Sequence, residues 1–171
     1  MTAERPRRVA RPAVADDVDA ICRVCAATLR ETYRGVYPPA EIEDMIGELY
    51  RPDLIRAEIG AADGWWGWMV AEVDGVVAAG GGGPSEAGVC ELHVLCVDPP
   101  MQKNGLGTAI LELFTAKARS AGVSLQRISV EPWNAASLAF FRRHGFVERG
   151  RRRSDPAWGA ADEAVELDRA I

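Results

Sequence analysis

The residues best suited to chemistry lie together in one mostly apolar stretch, Glu91-Leu-His-Val-Leu-Cys-Val97. Alternate side chains of an extended strand share a face, so Glu91 and His93 point the same way and the carboxylate can orient the imidazole. Imidazole exchanges protons near neutral pH, which makes His93 a candidate general base, with Glu91 as its partner or substitute. A purely structural histidine is the alternative. Directly after the strand, Asp98-Pro-Pro leads through Gln102-Lys-Asn-Gly105-Leu-Gly107 into an apolar helical stretch. A strand that delivers a glycine loop to a helix N-terminus offers unpaired N–H groups and the positive end of the helix dipole, and both favour an anion. The spacing matches neither the dinucleotide fingerprint nor the P-loop, so the phosphate ligand stays open and a plain turn is the rival reading.

Four cysteines raise the question of a metal. Cys22 and Cys25 fall on the helical stripe Val18, Ile21, Cys22, Cys25, Leu29, which makes them core thiols. Cys90 and Cys96 would lie roughly 20 Å apart on an extended strand and cannot share an ion. Neither zinc nor a disulfide is expected. The formal charge of −5 opposes a nucleic-acid partner and suits a cationic substrate. No run of about 18 apolar residues and no signal-peptide core is present, so a cytoplasmic protein with no membrane span is expected.

The elements that must position these residues follow from periodicity and breakers. Residues 7–12 read as a strand and 13–30 as a helix. Pro38-Pro39 starts a second helix, and a third short one follows Pro52. Asp74-Gly75 between two apolar runs predicts a hairpin, with Gly80 to Gly83 read as a frayed strand end or a hinge. A strand over 88–98, a helix over 105–121 capped by Gly122, a strand over 124–132 and a helix capped by Asn134 and Gly145 come next. Strands at 146–150 and 164–170 close the chain. The expectation is one α/β domain over residues 1–171 with a mixed sheet.

Val97-Asp-Pro-x-x-Gln-x-x-Gly-x-Gly107, with Asn134-Ala-Ala-Ser-Leu-Ala-Phe-Phe-Arg-Arg-His-Gly-Phe146 downstream, resembles the acyl-CoA binding core of the GNAT superfamily of N-acyltransferases. The resemblance spans roughly residues 88–150. It implies a mostly antiparallel sheet flanked by helices, with one parallel pair, strands 88–98 and 125–131, splaying apart to admit the pantetheine arm of acetyl-CoA. The anion would then be a pyrophosphate, held by the amides of Lys103, Asn104, Gly105, Leu106, Gly107 and Thr108. Leu95, Cys96 and Val97 match the segment that pairs with pantetheine and supplies an oxyanion donor, and Cys96 thereby reads as a backbone ligand, not a nucleophile. Asn134 matches the asparagine beside the cofactor arm. Position 141, where many members place a tyrosine that protonates the departing thiolate, holds Phe141. The ribosomal-protein alanine acetyltransferases of this superfamily also carry a glutamate five residues before the asparagine, and here that position is Ser129. The stretch 91–97 is similar instead to that of the arylalkylamine acetyltransferases, whose second histidine falls on His93.

The acceptor pocket of this fold is usually built by the first two helices and the loop before the last strand, which supply Glu31, Tyr33, Tyr37, Glu41, Glu43, Asp44 and Trp158. Tyrosines beside carboxylates suit an ammonium group on an apolar body. Arg149 and Arg151 to Arg153 read as an exposed hairpin, a clamp for an acidic group or a contact with the cofactor's ribose phosphate. Trp65, Trp66 and Trp68 read as packing or as a surface for a homodimer. The expected activity is acetyl transfer from acetyl-CoA to a small-molecule amine. A protein or peptide acetyltransferase and a non-catalytic acyl-CoA-binding module are the rivals.

Overall fold

A computed structural model of the protein describes residues 8–153 and 163–171. One seven-stranded sheet runs in the order β1-β2-β3-β4-β5-β7-β6, from β1 (Val9–Pro12), β2 (Trp68–Glu72), β3 (Val76–Glu86), β4 (Val89–Val97), β5 (Leu125–Val130), β6 (Val147–Arg152) and β7 (Ala164–Ala170). Every neighbouring pair is antiparallel except β4 and β5. Among the described residues, five α-helices cover it: α1 (Val18–Thr32), α2 (Pro39–Leu49), α3 (Pro52–Ala57), α4 (Leu106–Ser120) and α5 (Ala135–Arg143). Among the described residues, no helix is long and apolar enough to cross a membrane.

Two cores separate the layers. The stripe of α1, with Val18, Ile21, Val24, Cys25 and Leu29, packs with Ile55 of α3 on Trp68, Val70, Ala79, Val94 and Cys96. On the other face, Leu106, Ile110, Leu111 and Phe114 of α4 and Leu138 and Phe141 of α5 pack on Met69, Cys90, Leu92, Ile128 and Leu167. Asp17, buried just before α1, accepts two hydrogen bonds from Arg11 at 2.7 and 2.9 Å and one from the Val14 N–H. This fork holds the Asp17 carboxyl below its ordinary range, against the opposing cost of burial.

Residues 80–83 correct the expectation of a frayed end or hinge. They lie buried inside β3, paired with β4. A Cβ on Gly81 would overlap the Trp65 ring, one on Gly82 the Glu91 carbonyl and one on Gly83 the Gly64 carbonyl. At Gly80 it would come within 2.7 Å of Ile110. The run of four glycines is therefore there for close approach from both layers.

Those glycines also accommodate a bulge. The β3–β4 register jumps from Gly81↔Val94 to Gly82↔Leu92, which leaves His93 as an extra residue on β4. Leu92 before the bulge faces the α4 core and Val94 after it faces the α1 core. Simple alternation, on which the sequence argument rested, ends at His93.

Candidate functional site

The site begins where β4 and β5 part. Their parallel pairing covers only Val89↔Leu125, Cys90↔Gln126 and Glu91↔Arg127, after which β5 continues on β7 alone. The gap so opened leads into a cavity of about 680 Å³. Glu91 to Cys96 line it from β4, Ser129 and Val130 from β5, Glu131 and Asn134 from the connection that follows, and Ser137 and Phe141 from α5. The opposite wall comes from α1, α2, α3 and the segment containing Trp65 and Trp68.

At the head of the gap, Ser129 donates to Glu91 Oε1 at 3.3 Å and Arg152 Nη2 lies 3.3 Å from the same oxygen. Arg152 also donates to Ser129 at 3.0 Å and pairs with Glu166 at 3.4 Å. His93 Nδ1 is 3.9 Å from Glu91 Oε1, and its side chain is 39% exposed against 14% for Glu91. Both side chains lie on the cavity side of β4, opposite Cys90 and Leu92, as alternation up to His93 places them.

The loop residues divide by role. Gly105 adopts φ of +77° as the N-cap of α4, and Lys103 is also left-handed at +62°. Asn104 closes the loop through its side-chain amide, donating to the carbonyls of Met101 and Gln102 at 3.1 and 3.3 Å. The first helical bond is donated by Ala109 to Gly105, so the N–H groups of Leu106, Gly107 and Thr108 precede the ladder. Among the described residues, no side-chain cap hydrogen bond reaches them. Gly107 has a reason the sequence did not reveal: a Cβ there would meet the Phe140 ring at 3.3 Å, so this glycine lets α5 lie against α4. His144 ties the same turn down. Its Nδ1 is 2.8 Å from the Phe140 carbonyl, which can only accept, so Nδ1 carries a proton, and Nε2 lies 3.0 Å from the Thr108 hydroxyl.

Leu95 and Cys96 line the cavity. The Val97 carbonyl is taken by Thr28 at 3.1 Å and Gln102 at 3.3 Å. Cys96 is buried against Cys25, and burial first, then that neighbour, pushes the Cys25 thiol well up. Burial also pushes Cys90 up to about 11. Asn134 caps α5, accepting from the Ser137 N–H at 3.2 Å, while still lining the cavity. Phe141 lines it too, held edge-on between Phe140 and Phe146.

The proposed acceptor residues fare unevenly. Tyr33 lines the cavity and donates to Glu131 Oε1 at 2.9 Å, and Tyr37 packs edge-on against Tyr33 without forming part of the lining. Glu31 does not belong to the lining: it is exposed and paired with Arg34 at 2.7 Å. Glu43 pairs with Arg30, and Glu41 and Asp44 are exposed. Helix phase explains this, since the buried stripe of α1 turns Glu31 away. Trp158 lies outside the described residues. The arginines of β6 are engaged with carboxylates, Arg149 with Glu166 and Asp168, and Arg151 with Glu148 and Glu163.

Several lining residues were not singled out from the sequence. Trp65 and Trp68, read as packing or a dimer surface, do pack in the α1 core and also form cavity wall, and Trp66 packs on Phe114. Glu131 was legible in principle, since it continues the alternation from Ser129 and sits three residues before Asn134. Tyr50 and Glu58 carried no such signal, being placed by short helices whose packing the sequence does not encode locally.

Residues 26–146 match the Acetyltransferase (GNAT) family. Over 63 residues the chain is 36% identical to a [ribosomal protein bS18]-alanine N-acetyltransferase of Escherichia coli, covering 37% of this chain and 43% of that protein. Over 79 residues it is 34% identical to a mycothiol acetyltransferase of Geodermatophilus obscurus, covering 46% and 24%. The chain thus spans less than half the length of these two relatives. The PaiA N-acetyltransferase of Thermoplasma acidophilum, solved in complex with coenzyme A, superimposes with a TM-score of 0.80 at 20% identity over 94% of this chain and 98% of that one, which establishes the shared fold. With the splayed strand pair, the uncapped first turn of α4 and a family match across most of its length, the chain belongs to the GNAT acetyltransferase family.

Proposed function

We propose that the protein transfers an acetyl group from acetyl-CoA to the primary amine of a small molecule, by direct attack in a ternary complex. The observation that carries this reading is one cavity joining the splayed strands to a wall of aromatic rings and carboxylates. Acetyl-CoA, when bound, supplies the thioester carbonyl. The free amides at the start of α4 suit its pyrophosphate, and the main chain of Leu95 and Cys96 suits its pantetheine arm and an oxyanion donor.

Glu91 and His93, 3.9 Å apart, are assigned the proton lost by the attacking amine. The hydrogen bond from Ser129 to Glu91 adds support, because it holds the Glu91 carboxylate at the mouth of the splayed strands. Phe141 donates no proton. The cavity's phenols, Tyr33 and Tyr50, are poor substitutes, because burial foremost pushes both above the ordinary tyrosine range and each gives up its proton less readily. Water or direct transfer from the amine is left to protonate the thiolate.

The match to an alanine acetyltransferase keeps a peptide acceptor as the second reading. Thiol release from acetyl-CoA, measured with a panel of primary amines and with alanine-terminated peptides, separates the two. Turnover of amines alone supports the proposal. Turnover of peptides alone selects the second reading, and coenzyme A binding without release from any acceptor leaves an acyl-CoA-binding module.

A further inference from the structure

The cavity contains an uncompensated charge. Among its described lining residues, three carboxylates, Glu58, Glu91 and Glu131, face one guanidinium, that of Arg152. Glu91 is matched to Arg152 and Ser129, and Glu131 accepts from Tyr33. Glu58 has only the Trp68 indole N–H, at 3.4 Å, and among the described residues no cation pairs with it. A carboxylate accepts about four hydrogen bonds, so most of its capacity is open.

The surroundings of Glu58 are fixed and aromatic. It caps α3 through its own N–H, and its carbonyl accepts from the Trp65 indole at 2.8 Å. Trp65 and Trp68 meet edge to face with centroids 5.8 Å apart. Trp65 lies hard against Gly81, where no side chain could share the space, and Trp68 is buried. Capping α3 requires only the backbone of Glu58, so its carboxylate serves something else. A carboxylate beside rigid indole rings is a receptor for an organic cation.

Resting on the amine-acetylation reading above, we infer that the acceptor carries a second cationic group, which Glu58, Trp65 and Trp68 receive while the reacting amine lies at Glu91 and His93. A monoamine compensates one of the cavity's two excess negative charges; an acceptor with two cationic groups compensates both. The reacting end loses its proton at Glu91 and His93, and the distal end stays charged throughout. Glu58 is thus a specificity determinant acting through substrate binding.

The test compares thiol release with 1,4-diaminobutane and 1,5-diaminopentane against 1-aminobutane and 1-aminopentane. The expected kcat/KM is at least about tenfold higher for the diamines, carried by KM, and Glu58→Gln should reduce that ratio to about twofold or less. Coenzyme A affinity of the variant, by calorimetry, confirms an intact fold. Quenching of tryptophan emission by the diamine in coenzyme A-saturated wild type gives a readout independent of turnover. Equal rates for diamines and monoamines, or a full ratio retained in Glu58→Gln, overturn this inference alone. Release from none of the four amines overturns it together with the reading on which it rests.

Discussion

Where β4 leaves β5, the groups that can bind are main-chain amides set by a loop and a helix start; across the cavity they are side chains gathered from α1, α2, α3 and residues 65–68. The first arrangement is local in sequence, with Lys103 to Thr108 contiguous. The second brings Tyr33, Glu58, Trp68 and Glu131 together from four separate parts of the chain. Main-chain groups are indifferent to most substitutions and keep one cofactor geometry. Side-chain walls change with each substitution, which is how one fold serves many acceptors.

If the two ends work separately, variants should damage chemistry and cofactor binding separately. The largest effect is expected from Glu91→Gln and His93→Ala, each lowering kcat/KM roughly 10²-fold or more while leaving coenzyme A affinity in place. If the pair acts as a unit, the double variant loses little beyond the worse single one. Steady-state kinetics beside calorimetry checks both statements. Full activity in His93→Ala with loss in Glu91→Gln would assign the base to Glu91.

The converse damage is expected from Gly105→Val. A β-branched residue at φ of +77° is strained by about 1–3 kcal/mol, which the free loop relieves by relaxing and the bound loop cannot. Coenzyme A affinity should fall about 10- to 100-fold, with kcat at saturation changed far less. Unchanged affinity by calorimetry would detach the loop from the cofactor.

The same division explains what could be read from the chain alone. The glycine loop, the Asn134 cap and the succession of strands and helices along the chain are encoded by neighbours in sequence, so spacing exposed them. The bulge at His93 is not: it arises because Gly81 and Gly82 let β3 and β4 slip by one residue, a relation between two strands. Gly107 was assigned to an approaching anion, yet its missing side chain is answered by Phe140, 33 positions away. Glu31 and Glu58 make the point most directly. The first stands beside tyrosines in sequence and faces away from the cavity, while the second directly follows a six-residue helix with no pattern of its own and faces in.

A smaller effect, on stability, tests the anchoring of the side-chain wall at the start of α1. Asp17→Asn removes a carboxylate that receives Arg11 and the Val14 N–H, and should cost about 2 kcal/mol, a melting point lower by roughly 4–8 °C. Because the folded-state pKa of Asp17 is lowered, its stabilisation is complete above the unfolded value of about 3.9 and disappears as pH falls through the lower folded value. The gap between wild type and variant in melting point should therefore close on acidification below about pH 4. A gap constant from neutral to acidic pH would remove Asp17 from this role.

The smallest change is expected from Phe141→Tyr, at the point where the two ends meet. Phe141 lies in the α4–α5 core and also on the cavity, so the added hydroxyl can reach the cavity without a buried, unsatisfied oxygen. A phenol there restores the acid that many family members use. If protonation of the departing thiolate limits the present protein, turnover should rise a few-fold, about threefold, because water or the amine already performs the step. The rise should appear in kcat and be larger for acceptors whose attack is fast. Phe141→Leu provides the contrast, since it keeps an apolar side chain while removing the ring that packs on Phe140 and Phe146, and should lower stability without raising turnover. A Phe141→Tyr variant that loses activity while binding coenzyme A normally would mean that position 141 faces the acceptor, so that the side-chain wall extends across α5 and the boundary between the two ends lies nearer Asn134.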